Sequence, residues 1–207
     1  MTSLDTALAA LQAHARPDQL QGMAGFGMAG ATRLGVAVPV LRRLGRQFGR
    51  DHALAQALWG TGIPDAQILA GMVAEPARFT LKQMNAWARS TLSWDVCDQA
   101  CLNAFVRSPL AWRRVPVWAA SPDEWVKRAA FALLACLAVH DKAADDARFL
   151  AALPLIEAAS DDDRNFVKKA VNWALRQIGK RNAALRGPAI ACAERIATRG
   201  TRAATSV

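Results

Sequence analysis

Tyrosine is absent from the 207 residues, and no segment alternates β-branched and polar residues with a period of two. Both absences work against a sheet, which draws on aromatic and β-branched residues in alternating register. Histidine is scarce as well: His14, His52 and His140 stand singly, without a partner at ligand spacing. Of the four cysteines, Cys97 and Cys101 lie four apart, a spacing that suits one helix face and not a zinc knuckle, and Cys136 and Cys192 are isolated. No metal site is expected, and the thiols read as buried and reduced. No stretch approaches the roughly 18 continuous apolar residues of a membrane span. The amino end, "MTSLDTALAALQAHARPDQL", is amphipathic and lacks the unbroken apolar run of a signal peptide, so a cytoplasmic protein is expected. Acidic residues are in short supply, 17 against 26 lysines and arginines, for a net charge of +9. That excess favours a polyanionic partner such as nucleic acid.

What is abundant is alanine and leucine, with hydrophobic residues making up 53% of the chain and recurring at spacings of three and four. Eleven helical segments follow, from about 3–14 through 94–107, 109–119, 122–139 and 162–179 to 183–198. "SPDEW" reads as a capping box, with Ser121 as N-cap, Pro122 at the first helical position and Glu124 reaching back. Residues 21–35, "QGMAGFGMAGATRLG", are rich in glycine and give no clear period. "EWVKRAAF" at 124–131 recurs as "NFVKKAVN" at 165–172, an offset of 41 residues. A helical repeat of roughly 40–47 residues is the period of HEAT and armadillo units, which stack into a superhelix with one concave face. The fold class expected is therefore all-α, a right-handed superhelical solenoid of HEAT-like repeats, with residues 1–207 forming one domain.

Advancing about 100° per residue from Val167 places Ala170, Val171, Ala174 and Ile178 within about 60° of it, a core stripe. Lys169, Trp173, Arg176 and Lys180 cluster on the opposite side, so Trp173 sits in a basic face. A tryptophan there is covered either by a ligand or by the adjacent repeat. Lys127 and Arg128 occupy the first turn of their helix, and Lys168 and Lys169 repeat the placement. Cations there oppose the helix dipole at a cost of a few tenths of a kcal/mol. They are either solvated charge or a phosphate-tracking surface, and the recurrence favours the second. In "LSWDVCDQACLNAF", residues 92–105, Ser93 suits an N-cap and Asp95 the helix amino end. Asp98 lies past the first turn, within about 40° of Trp94 on the wheel. A carboxylate beside apolar surface needs an internal base, such as Arg128, or an external cation.

Four segments together resemble the HEAT-like-repeat DNA alkylation-repair proteins, the AlkD-type alkylpurine DNA glycosylases: "LGVAVPVLRRL" at 34–44, "SWDVCDQ" at 93–99, "EWVKRAA" at 124–130 and "NFVKKAVNWALRQIGKRN" at 165–182. The resemblance makes Asp98 the counterpart of the catalytic carboxylate and Trp94 and Trp173 the aromatic walls. It makes Arg128 a phosphate contact and Arg176 a neighbouring DNA contact, beside which Lys127, Lys168, Lys169 and Lys180, read from their helix placement alone, extend the candidate DNA-binding surface. It implies hydrolysis of the N-glycosidic bond of cationic N3- or N7-alkylpurines in duplex DNA, without base flipping, cofactor or lyase step, by a monomer. Phe26 stands where the pattern has a tyrosine, so it is a possible lesion-site contact lacking a hydroxyl. Val36, Ala37 and Val38 replace polar residues of the pattern, and the carboxyl end is abbreviated. The alternatives are a non-catalytic HEAT-like DNA-binding protein and a protein-interaction scaffold.

Overall fold

The computed structural model describes residues 2–28, 30–200 and 204, and every regular element among them is helical. Contacts divide the chain into two compact units, residues 1–109 and 110–207. The first holds α1 (Leu4–Gln12), α2 (Leu20–Gly25), α3 (Val38–Phe48), α4 (His52–Gly60), α5 (Pro64–Val73), α6 (Leu81–Ser90) and α7 (Trp94–Asn103). The second holds α8 (Ala111–Ala119), α9 (Glu124–His140), α10 (Asp146–Ala159), α11 (Asn165–Arg181) and α12 (Ala183–Ala197). Among the described residues no helix is long and apolar enough to cross a membrane.

In the first unit α5 is the central element, packed against α3, α4 and α7, and all its residues but Met72 are buried. Small residues let the neighbours approach. A Cβ on Gly71 would lie 3.4 Å from the Gln99 carbonyl oxygen of α7, and one on Gly45 of α3 would lie 3.0 Å from the Met72 Cβ. Behind this layer Trp59 and Trp87 stack with ring centroids 4.0 Å apart. Each indole N–H is satisfied, Trp59 by the Ser90 hydroxyl and Trp87 by the Gln56 side-chain Oε1, which is what burying a tryptophan requires.

The glycine-rich stretch contains one short helix, α2, that periodicity did not mark, and then an irregular segment held by long-range bonds. Asp65, in the first turn of α5, accepts hydrogen bonds from the Leu34 and Val36 backbone N–H groups, both at 2.7 Å. Between them Gly35 has φ +79°, and a Cβ there would lie 2.6 Å from the Arg16 carbonyl oxygen. Only glycine fits that position.

In the second unit α9 and α11 run alongside each other, with α8 against α9 and α12 against α10 and α11. These two inner helices are the two copies of the 41-residue repeat, and each is 17 residues long. Every residue of α9 from Arg128 to Ala138 is buried, as its unbroken apolar run requires. The stripe read on α11 is buried too: Val167, Ala170, Val171, Ala174 and Ile178. The other three helices, α8, α10 and α12, each carry an interior proline (Pro116, Pro154, Pro188), while α9 and α11 carry none. An interior proline removes a helix hydrogen bond, which the shorter covering helices tolerate better than a fully buried one.

Three local expectations are corrected. The α9 N-cap is Asp123, whose carboxylate accepts from the Val126 N–H at 3.0 Å, while Ser121 turns to the Asp123 N–H. An anionic cap complements the helix dipole better than a hydroxyl, and Pro122 is left outside with its carbonyl accepting from Arg164 at 2.7 Å. Ser93 stands at the N-cap of α7 but makes no side-chain cap bond. The helix expected over 94–107 ends at Asn103 and gives way to a 3-10 turn over Phe105–Arg107.

Replacing Asp65 by Asn removes one of two charge-assisted bonds to a buried backbone. Asp65→Asn is expected to lower the unfolding free energy by about 2 kcal/mol, read as a shifted urea midpoint.

Candidate functional site

The N-terminal end of α7 joins the glycine-rich segment through an aromatic and an ionic tie. The Trp94 indole N–H donates to the Phe26 carbonyl oxygen at 2.9 Å, which fixes the orientation of the ring. Phe26 itself leaves 76% of its surface to solvent. Asp98 follows one turn after Trp94 and is half-buried, as are Gln99, Leu102 and Asn103 on the accessible side of the helix. The opposite side, Val96, Cys97, Ala100 and Cys101, is buried. The structure thus sets Trp94 against the Phe26 backbone at the start of α7, with Asp98 one turn further along the same helix.

The ionic tie was not foreseen. Arg33 donates to both carboxylate oxygens of Asp95, at 2.8 and 3.0 Å, and to the Ser93 hydroxyl at 3.1 Å. The side chains are 3% and 11% exposed. Asp95 and Ser93, read from sequence as helix-end residues, instead fasten the segment carrying Phe26 onto the turn that starts α7. The one signal available was a lone arginine in "GATRLGV", a stretch with no acid nearby to solvate it.

In the second unit the basic residues divide by burial. Lys127 donates to Asp162 at 3.2 Å, and Asp162 also takes a two-point contact from Arg164 at 2.9 and 2.6 Å. Those contacts, Arg164 foremost, hold the Asp162 carboxyl down at about 2. The Arg128 guanidinium is buried, 5% exposed, and donates to the Phe166 carbonyl oxygen at 2.6 Å in the first turn of α11. The Phe166 ring stacks on Trp125, centroids 5.1 Å apart, a pair that sequence reading missed. Lys127, Arg128, Lys168 and Lys169 therefore gather where α9 and α11 begin. Trp173 is half-buried on α11 with Lys169, Arg176 and Lys180 exposed around it. Lys180 lies in the last turn, about 16 Å along the axis from Lys169. No group of three or more potential metal ligands occurs among the described residues, and all four cysteines are buried.

With this geometry in hand, comparison with known proteins decides the family. The model of the DNA alkylation repair enzyme family matches residues 7–205. The chain belongs to that family. It also superimposes on the solved structure of a protein from a family related to the HEAT-like repeat DNA glycosylases with affinity for branched DNA structures. The TM-score is 0.84 at 20% identity, covering 93% of this chain and 83% of that one. The fold is therefore HEAT-like. No curated protein sequence matches significantly.

Two outcomes are expected of this DNA alkylation repair family member. Arg33→Met alone strands the Asp95 carboxylate in a buried site and should cost about 3–5 kcal/mol in a denaturant titration, whereas Arg33→Met combined with Asp95→Leu should recover much of the loss. The depressed Asp162 carboxyl contributes stability that is fully present above its unfolded value of 3.8 and is lost as pH falls towards about 2. The stability difference between wild type and Asp162→Asn should accordingly shrink as pH is lowered from about 4 to about 2 in acid-unfolding curves.

Proposed function

We propose that this protein repairs alkylated DNA as a monofunctional glycosylase, hydrolysing the N-glycosidic bond of cationic N3- or N7-alkylpurines in duplex DNA without flipping the base. The observation that carries the reading is the pairing of Asp98 with an indole one turn away whose orientation is fixed by the Phe26 carbonyl. An N3- or N7-alkylated purine is already a cationic leaving group, so no general acid is needed. As the bond breaks, positive charge moves into the sugar, as in glycoside hydrolysis. Asp98 stabilises that charge and orients a water. At about 4 Å and an effective dielectric near 20 this attraction is roughly 4 kcal/mol, about three decades of rate if realised in the transition state. An indole over the cation adds roughly 0.5–2 kcal/mol by cation–π attraction, the role that the family resemblance gives to Trp94 and to Trp173. Lys168, Lys169, Arg176 and Lys180 follow the phosphates. Lys127 and Arg128 join them by exchanging Asp162 and the Phe166 carbonyl for phosphate oxygens. No lysine is placed as a Schiff-base nucleophile, so the product is an abasic site.

A second reading, a HEAT-like DNA-binding protein without chemistry, draws support from the solved structure of a protein whose family has affinity for branched DNA. Single-turnover release of 7-methylguanine and 3-methyladenine from methylated duplex DNA separates the two. Wild type is expected to release base, and Asp98→Asn to lose about three decades of rate while retaining affinity. Salt-dependent binding by wild type without any base release would reject the glycosylase and leave the binding protein.

A further inference from the structure

Four arginines follow one another along and just after α3, and they have separate fates. Arg43 turns to His14, its Nη2 3.3 Å from the imidazole Nε2. Arg50 folds back to donate to the Met72 and Ala74 carbonyl oxygens, at 3.1 and 2.6 Å, and so satisfies the carboxyl end of α5. Arg42 and Arg46 are exposed, and among the described residues no salt bridge or side-chain hydrogen bond engages either. The nearest acids in sequence are committed elsewhere: Asp51 caps α4 through the Leu54 N–H, Asp65 accepts from the Leu34 and Val36 N–H groups, and Asp18 binds Arg16.

Arg42 and Arg46 border a cleft of about 320 Å³ whose other walls are Arg50, already turned to the α5 carbonyls, and Gly45, Gly49, Met72 and Asn103. Gly49 leaves its side of the cleft open, since a Cβ there would meet nothing within 4 Å, while Gly45 packs against Met72. Placing Arg46 in the last turn of α3 suits the helix dipole, but that does not explain Arg42 in mid-helix. Two like charges one turn apart also destabilise a helix unless an anion lies between them. Asn103 places the cleft at the far end of α7 from Trp94, about 13 Å along the axis, or about four base-pair steps of a duplex at 3.4 Å each. Asn103 is also among the residues that α7 leaves accessible alongside Asp98.

We propose that this cleft is a phosphodiester subsite in which Arg42 and Arg46 clamp one backbone phosphate of the DNA bound at Trp94 and Asp98. The proposal rests on the DNA reading above and adds to it a fixed backbone contact within the first unit, apart from every basic residue singled out on α9 and α11. Arginine suits the role because its planar fork meets a phosphate at two points, and two forks on one phosphate position the strand without reading its sequence.

The test is fluorescence anisotropy of a labelled duplex over a salt series, comparing wild type, Arg42→Gln/Arg46→Gln and the charge-matched Lys82→Gln/Arg89→Gln. The control residues are exposed on α6. The clamp variant is expected to bind about tenfold more weakly at moderate salt, with the slope of log K against log salt reduced by about one, the loss of one phosphate contact. The control is expected to change affinity less than about threefold, with its slope unchanged. Arg42→Lys/Arg46→Lys should keep the slope and lose part of the affinity, since charge remains and the fork is gone. Equal losses in clamp variant and control, with wild type binding, overturn the subsite alone. Absence of salt-dependent binding by wild type overturns the DNA reading and the subsite with it.

Discussion

The first unit's candidate site depends on one buried ion pair. Arg33 and Asp95 are 62 positions apart, yet their two-point contact, with Ser93 as a third partner, fastens the glycine-rich segment to the first turn of α7. Removing two charges from water costs several kcal/mol each, and the mutual attraction offsets this only when the geometry is good and the remaining donors are met. Here the two-point arrangement and the Ser93 hydroxyl serve both terminal nitrogens of Arg33, while its buried Nε–H is left without a partner among the described residues. The pair is better understood as fixing one arrangement of the chain than as adding net stability. Once it is in place, the Phe26 carbonyl lies within reach of the Trp94 indole, and Trp94 is held one turn from Asp98.

The second unit handles charge differently. Cations crowd the starts of α9 and α11, where helix dipoles disfavour them, and the structure answers with acids. Asp123 caps α9, and Asp162 gathers both Lys127 and Arg164. Arg128 donates to a backbone carbonyl of the neighbouring repeat. The basic residues are thus held in two populations: an inner group tied to protein partners, and an outer group on α11, around Trp173, facing solvent. An anion could engage the outer group at little cost, because no ion pair has to be broken there. An anion reaching the inner group would first have to displace Asp162 or the Phe166 carbonyl oxygen.

Much of the helical plan was legible in the order of residues. The 41-residue repeat, the α11 core stripe and the burial of α9 could all be read because a helix repeats every 3.6 residues and leaves its period in the sequence. The four-residue spacing of Trp94 and Asp98 was legible for the same reason. The family segments then assigned those residues roles that no periodicity supplies, and Phe26 entered the candidate site only by that resemblance.

What the sequence by itself determined was therefore local: which stretches coil, which faces are apolar, where glycine and proline interrupt. Only the tertiary structure decided the partners. Ser93 bonds Arg33 and caps nothing, Asp123 replaces Ser121 at the start of α9, and of four arginines on and after α3 Arg43 and Arg50 bond to protein groups while, among the described residues, Arg42 and Arg46, beside Arg50 on one cleft, do not. A hydrogen bond between residues tens of positions apart leaves no period in the chain, because its geometry exists only after packing has brought the two elements together.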